Sequence, residues 1–307
     1  MQLVIMTQTI KDGMMPWGYW KIDPKYKDND FREGVEPLSA NQITDLSCDY
    51  QLVGVEPDKM FKPGTEPKGF RWWHWDNSMQ PWLRHLTPAN TSGHKLWSRL
   101  TYCGWSMPKD SPALEEHRQR VNRKLQEDSN GAIRDIAELW GGHRPTQLPQ
   151  KKHALICASS HRNHREFFNE PQDQWLQKVT SELKRQGYTY TIRQKVSVQG
   201  RKTNQVTDQI KREGCDLLVT NYSASASEAV VIGCAVVTTT DQNPAWAVST
   251  PWEDFCQGMI HTYTEKDLDY WTTRICAYTW HRTDLNTLRW IDTHPQAEHL
   301  RKQKYDI

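Results

Sequence analysis

The chain has few aliphatic residues and no long apolar run. Hydrophobic residues make up 36% of its 307 positions, and nowhere do roughly 18 of them follow one another, the length a bilayer-spanning helix needs. A charged-then-apolar segment closed by small residues, the mark of a secretory leader, is also missing. A membrane partner is therefore not expected, and a cytoplasmic location is. The seven cysteines, at 48, 103, 157, 215, 234, 256 and 276, are odd in number and widely spaced, which reads as reduced thiols rather than a disulfide framework. Cys157, His161 and His164 stand close in sequence, but no second cysteine pair or partner carboxylate completes a ligand spacing, so no metal is expected. There is no internal repeat and no low-complexity tract.

What the chain does have is tryptophan, 15 in all. The interior or a binding surface must be built from a few large aromatics. Charge is unevenly spread beneath a net +2: residues 70–166 carry 15 Lys and Arg against 9 Asp and Glu, while residues 1–69 carry 8 against 11. The same basic stretch holds Trp72, Trp73, Trp75, Trp82, Trp97, Trp105 and Trp140. Two readings of it stay open. It is either core aromatics with a solvated rim or a surface on which Arg71, Lys95 and Arg99 track phosphates while Trp72, Trp73 and Trp75 stack on bases.

Residues 2–7 and 52–55 read as short buried strands, separated by Pro-, Gly- and Asp-rich segments without periodicity. Ser111-Pro-Ala-Leu-Glu-Glu reads as a helix start, with the helix reaching about residue 126, and a second helix is expected over 132–140. Gly141-Gly-His-Arg-Pro145, continuing to Lys152, is the best linker. It divides the chain into an expected acceptor-binding domain, 1–149, and a donor-binding domain, 150–307, with a return of the last helices to the first domain left open. Beyond the linker the alternation is regular. Strands are expected at 153–158, 188–193, 216–220 and 235–239, and helices at 173–186, 204–213 and 225–232, with Gly187, Gly214 and Gly233 as stops. Residues 265–278 and 285–290 look helical. Buried strands alternating with helices mean a parallel sheet covered on both faces.

Ligands of such sheets bind outside the carboxyl ends of the strands, so the loops after the strands carry the information. The first is Ser159-Ser-His-Arg-Asn-His-Arg165, the second runs from Arg193 through Lys195, the third is Asn221-Tyr-Ser-Ala-Ser-Ala-Ser-Glu228, and the fourth is Thr239-Thr-Asp241. Small residues leading into a helix expose backbone N–H groups to a diphosphate, and a carboxylate one turn in accepts hydrogen bonds from a ribose diol. Arg162, Arg165, Arg193 and Lys195 would neutralise phosphate charge. The bland alternatives are an ordinary capped helix start and solvent-facing loop histidines at 161 and 164.

The segment from Asp216 through Thr238, with its strand, serine turn, Glu-Ala and Gly before the next strand, resembles the donor site of GT-B glycosyltransferases. That resemblance covers about residues 150–245. It implies an α/β protein of two Rossmann-like domains facing a cleft, with the parallel sheet in the C-terminal half. It also implies transfer of a sugar from a nucleoside-diphosphate sugar, with UDP the expected nucleotide and no tightly bound cofactor or metal. Ser223, Ser225 and Ser227 would then line the diphosphate, Glu228 the ribose, and Ser160, His161 and Arg162 would face the leaving group, with Ser159 and Asn221 beside them. The general base would come from the N-terminal half, with Asp12, His74 and Asp76 as candidates in apparent loops. The chain is similar in architecture and size to phage enzymes that glycosylate hydroxymethylated bases, which makes double-stranded DNA one expected acceptor, in host cytoplasm, and a glycan the other. A non-catalytic nucleic-acid-binding protein and a sugar-nucleotide epimerase are the alternatives. Sugar, stereochemical outcome and oligomeric state are not encoded legibly.

Overall fold

The computed structural model describes residues 18–22, 35–37, 50–53, 72–77, 83, 97–102, 107–164, 168–193, 205–281, 284 and 290–298. In chain order the elements are β1 (Gly18–Ile22), β2 (Val35–Pro37), β3 (Tyr50–Val53), β4 (Trp72–Asn77), β5 (Trp97–Tyr102) and α1 (Glu115–Asp128). There follow β6 (His153–Cys157), α2 (Gln172–Arg185), β7 (Thr189–Ile192), α3 (Val206–Glu213), β8 (Leu217–Thr220), α4 (Ser225–Val231) and β9 (Ala235–Thr238). The last are β10 (Thr250–Pro251), α5 (Trp252–Cys256), α6 (Glu265–Cys276), β11 (Thr279–His281) and α7 (Trp290–Thr293). The strand expected at 2–7 lies outside the described residues.

Contacts divide the chain into two compact units. One comprises residues 1–78, 86–111 and 276–307, the other 79–85 and 112–275. The division falls at 111/112 rather than near 150, and the stretch from Cys276 belongs to the first unit. The reason is side-chain chemistry on α1. Arg118 donates from Nε and Nη2 to Asp135 at 3.0 and 2.9 Å and from Nη1 to Asp269 on α6 at 2.7 Å, which ties α1 to the second unit. The helix itself begins at Glu115 instead of beside Ser111. Over 132–140 only a 3-10 turn, Ile136–Trp140, forms, capped by the Asp135 side chain and stopped by left-handed Gly141.

The first unit holds a six-stranded sheet in the order β11-β5-β4-β3-β1-β2. Only β3 and β4 are parallel; the other neighbours are antiparallel. The expectation that the N-terminal domain is Rossmann-like is thereby corrected. All but one of its neighbouring strand pairs are antiparallel, where a Rossmann-like sheet is parallel. Its core is aromatic. The Trp73 ring, fully buried, lies 4.8 Å from Tyr102, 4.7 Å from Trp290 and 4.9 Å from His294.

The second unit holds five parallel strands in the order β10-β9-β8-β6-β7. The protein is thus α/β with a parallel sheet compatible with a Rossmann-like arrangement. α2 shows why the pattern folds this way. Trp175, Val179 and Leu183 recur every four residues and form one buried stripe, packed with Ala154, Ile156 and Leu217 of the sheet. Asp173 in the first turn and Lys184 and Arg185 in the last complement the helix dipole. Gly187, Gly214 and Gly233 follow the three sheet helices with φ of 80°, 66° and 81°, the left-handed conformation that stops a helix at little cost only for glycine. β10 and α5 continue the sheet beyond what the sequence pattern indicates. Among the described residues no helix is long and apolar enough to cross a membrane.

Candidate functional site

At the carboxyl edge of the parallel sheet the loops after β6, β8 and β9 are joined by buried side-chain hydrogen bonds. Asn221, directly after β8 and 2% exposed, is the centre. Its Oδ1 accepts from the Ser159 backbone N–H at 3.1 Å and from the Ser159 hydroxyl at 2.7 Å. A backbone N–H can only donate, so this contact fixes the orientation of the carboxamide. Nδ2 is therefore the donor to His164 Nε2 at 3.0 Å, and His164 holds its proton on Nδ1, which faces the Glu170 carbonyl at 3.2 Å. Burial holds the His164 imidazole below its ordinary pKa against the opposing pull of Glu170. From the loop after β9, Asn243 Nδ2 donates to the carbonyls of Asn221 at 2.7 Å and Ser223 at 3.2 Å. Lower in the same edge the Thr220 hydroxyl donates to the Cys157 carbonyl, and the Trp175 indole donates to the Thr239 hydroxyl at 2.9 Å.

The first loop is shaped by its serines. Ser160 Oγ accepts from Asn163 N at 3.2 Å and caps the single helical turn His161–Asn163, while Gln172 Nε2 donates to the Ser159 carbonyl. The serine turn of the third loop leads into α4, of which six residues are buried. Ser225 and Ser227 bury hydroxyl oxygens that have no nitrogen or oxygen partner. Ser225 lies against the Cys157 thiol, which burial pushes up to about 12 despite that contact and the Arg193 charge, with Glu228 adding to the rise. Cys157 is thus a neutral core thiol rather than a nucleophile.

Nine expected donor residues gather at this edge: Ser159, Ser160, His161, Arg193, Asn221, Ser223, Ser225, Ser227 and Glu228. Their roles differ from the expectation. Ser159 and Asn221 are buried and bonded to each other, and Ser225 and Ser227 are buried as well, so these four build the edge; His161 is exposed and Ser160, Ser223 and Glu228 are partly exposed. Arg193 follows β7, donating its backbone N–H to Ile156 O at 2.9 Å and a guanidinium N–H to Gln209. The Arg162 side chain, Arg165 and Lys195 lie outside the described residues. His164 is corrected outright: read as a solvent-facing loop residue, it is fully buried because Asn221 and Glu170 satisfy both ring nitrogens. Asn243 and Gln172 were not anticipated, since a lone amide in a loop carries no local signal of its distant partner.

In the first unit, His74 and Asp76 stand on β4, paired in register with Thr101 and Arg99 of β5, rather than in a loop. Asp12, Arg71 and Lys95 lie outside the described residues, as do the side chains of Trp72 and Trp75, two positions of β4. Trp73 and Arg99 overturn the stacking-surface reading at their positions. They are 0% and 4% exposed, inside the core, where neither base nor phosphate reaches them. No protein family, no curated protein and no solved structure matches the chain.

Proposed function

We propose that the second unit binds a nucleoside-diphosphate sugar at the carboxyl edge of its sheet and that the protein is a glycosyltransferase. The observation that supports this reading is the convergence of three strand-end loops on Asn221, which makes a rigid floor of hydroxyl and amide groups where open parallel sheets bind ligands. On this floor Ser223 and the backbone N–H groups of the serine turn meet the diphosphate, Glu228 accepts from the ribose hydroxyls, and Arg193 supplies positive charge. The reaction breaks the bond from the anomeric carbon to the diphosphate and forms one to an acceptor oxygen. The acceptor's proton passes to a base, and the leaving diphosphate is stabilised by cations and hydrogen-bond donors.

The full GT-B design requires a second parallel-sheet domain, and the mixed sheet of the first unit is not one. The proposal therefore rests on the second unit alone. With Trp73 and Arg99 in the core, a glycan hydroxyl stands ahead of a DNA hydroxymethyl base as acceptor. Calorimetry with UDP and UDP-sugars tests the reading: measurable affinity in the wild type that falls at least about tenfold in Glu228→Ala, as loss of a charge-assisted pair of hydrogen bonds implies. Equal affinity in both proteins refutes the donor-site assignment. Incubation with a labelled UDP-sugar and either glycan or hydroxymethylated duplex DNA separates the acceptors.

A further inference from the structure

A second cluster of chemistry lies at the opposite, amino-terminal end of the parallel strands. His153 opens β6, Glu213 ends α3 and Cys215 follows two residues later. One donor atom from each lies within 4.8 Å of the other two. Gly214, left-handed at φ 66°, makes the sharp turn between the last two, and a backbone bond from Cys215 N to Ile210 O at 3.0 Å holds the turn. We propose that His153, Glu213 and Cys215 bind a borderline divalent transition-metal ion, zinc foremost, with water completing the coordination.

Three features carry this. Imidazole, thiolate and carboxylate together are a zinc donor set. Glu213 Oε2 is buried with no hydrogen-bond partner, while its other oxygen accepts from Arg212 at 3.3 Å, and an orphaned carboxylate oxygen is costly unless a cation answers it. The His153 ring is positioned through Nδ1, 2.8 Å from the Thr189 hydroxyl, the kind of contact that holds a ligand histidine in place, while Nε2, 3.3 Å from the Thr191 hydroxyl, has to exchange that longer contact for the ion. Metal–ligand distances of about 2.0–2.3 Å require the donors to draw together by roughly 1 Å. The Lys151 ammonium, which a Cβ at Gly214 would meet at 3.2 Å, is the neighbouring positive charge the ion has to tolerate.

Cobalt(II) chloride titrated into the metal-free full chain tests the site, because cobalt bound by thiolate absorbs in the near ultraviolet. One equivalent with that band is expected in the wild type and in Cys256→Ser, and no band in Cys215→Ser. His153→Gln and Glu213→Gln should bind at least about tenfold more weakly. No band in the folded wild type, or an undiminished band in Cys215→Ser, overturns the proposal. If Cys215→Ser does not fold, unchanged affinity in both other variants overturns it. UDP binding lies at the other end of the strands, so this test and that of the donor site fail separately.

Discussion

Asn221→Ala removes the amide that ties the loop after β6 to the end of β8 and leaves the backbone carbonyl that Asn243 bonds, so its consequence can be worked out contact by contact. The substitution strands the Ser159 N–H, the Ser159 hydroxyl and His164 Nε2. A buried polar group without a partner costs about 1–3 kcal/mol. The hydroxyl can rotate to another acceptor, so the sum is about 3–4 kcal/mol, a drop in Tm of roughly 6–16 °C for a unit of this size. Chemical denaturation should show a lower midpoint with an unchanged slope. Asn221→Asp sharpens the test. It keeps an acceptor for Ser159 but sets a carboxylate oxygen against the lone pair of Nε2, a repulsion that a proton on His164 relieves. In the wild type the His164 pKa is depressed below 6.5, so its contribution to stability is present above that pH and lost as pH falls through the folded value. In the variant the pKa is raised, so the contribution is present below pH 6.5 and lost as pH rises through the new value. The stability gap between the two proteins should therefore narrow from pH 8 to pH 5. A gap that does not change with pH refutes the assigned tautomer and the network built on it.

Arg118→Met should destabilise the second unit by about 2 kcal/mol, below the 3–5 typical of a broken buried pair because Asp135 and Asp269 are 31% and 50% exposed; urea denaturation measures it, and Arg118→Lys should recover little since a compact ammonium lacks the planar fork that bonds Asp135 through two nitrogens and Asp269 through a third. Gly233→Ala should cost clearly more than Gly258→Ala: both have φ above 80°, worth about 1–2 kcal/mol for any other residue, but a Cβ at 233 would lie 2.8 Å from the Pro145 carbonyl while that at 258 meets nothing. His117, lowered to about 4 by burial and by Arg120, should make stability fall from pH 6.5 downward as the unfolded chain takes up the proton first, by at most about 3 kcal/mol; His117→Gln should flatten that limb of the denaturation profile.

The two halves of the chain differ in how much of their structure is written locally. β6, β8 and β9 are buried on both faces, so they stand out as short apolar runs. The helices between them end at glycines because the chain must turn left-handed there, and expected boundaries agree with the structure to within a few residues. The serine turn was legible because a run of small residues directly after an apolar strand marks the start of a helix. In the first unit only β3, Tyr50–Val53 against an expected strand at 52–55, carries such a mark among the described residues. Trp72–Asn77 mixes aromatic and polar residues without alternation, and β11 comes from residue 279 to pair with β5 near residue 98, a partnership that no local window contains. His164 was misread for the same reason: its burial depends on an amide 57 residues away.

The excess of tryptophan, which suggested a stacking surface, has a different physical basis in the first unit. Its strands are three to six residues long, and short strands offer few inward positions. An aromatic ring system buries about 150–250 Å², and at roughly 25 cal/mol per Å² each is worth about 4–6 kcal/mol as an upper bound, about twice an aliphatic side chain. Trp73, Trp97, Trp280 and Trp290 are all 2% exposed or less, so each fills a core position for which a smaller residue would leave a cavity. Rings that hold the sheet together cannot also swing out to a base without costing the fold that energy. An acceptor surface on this unit must therefore be made by side chains other than these four, and Ala substitution at any of them should lower stability before it alters acceptor choice.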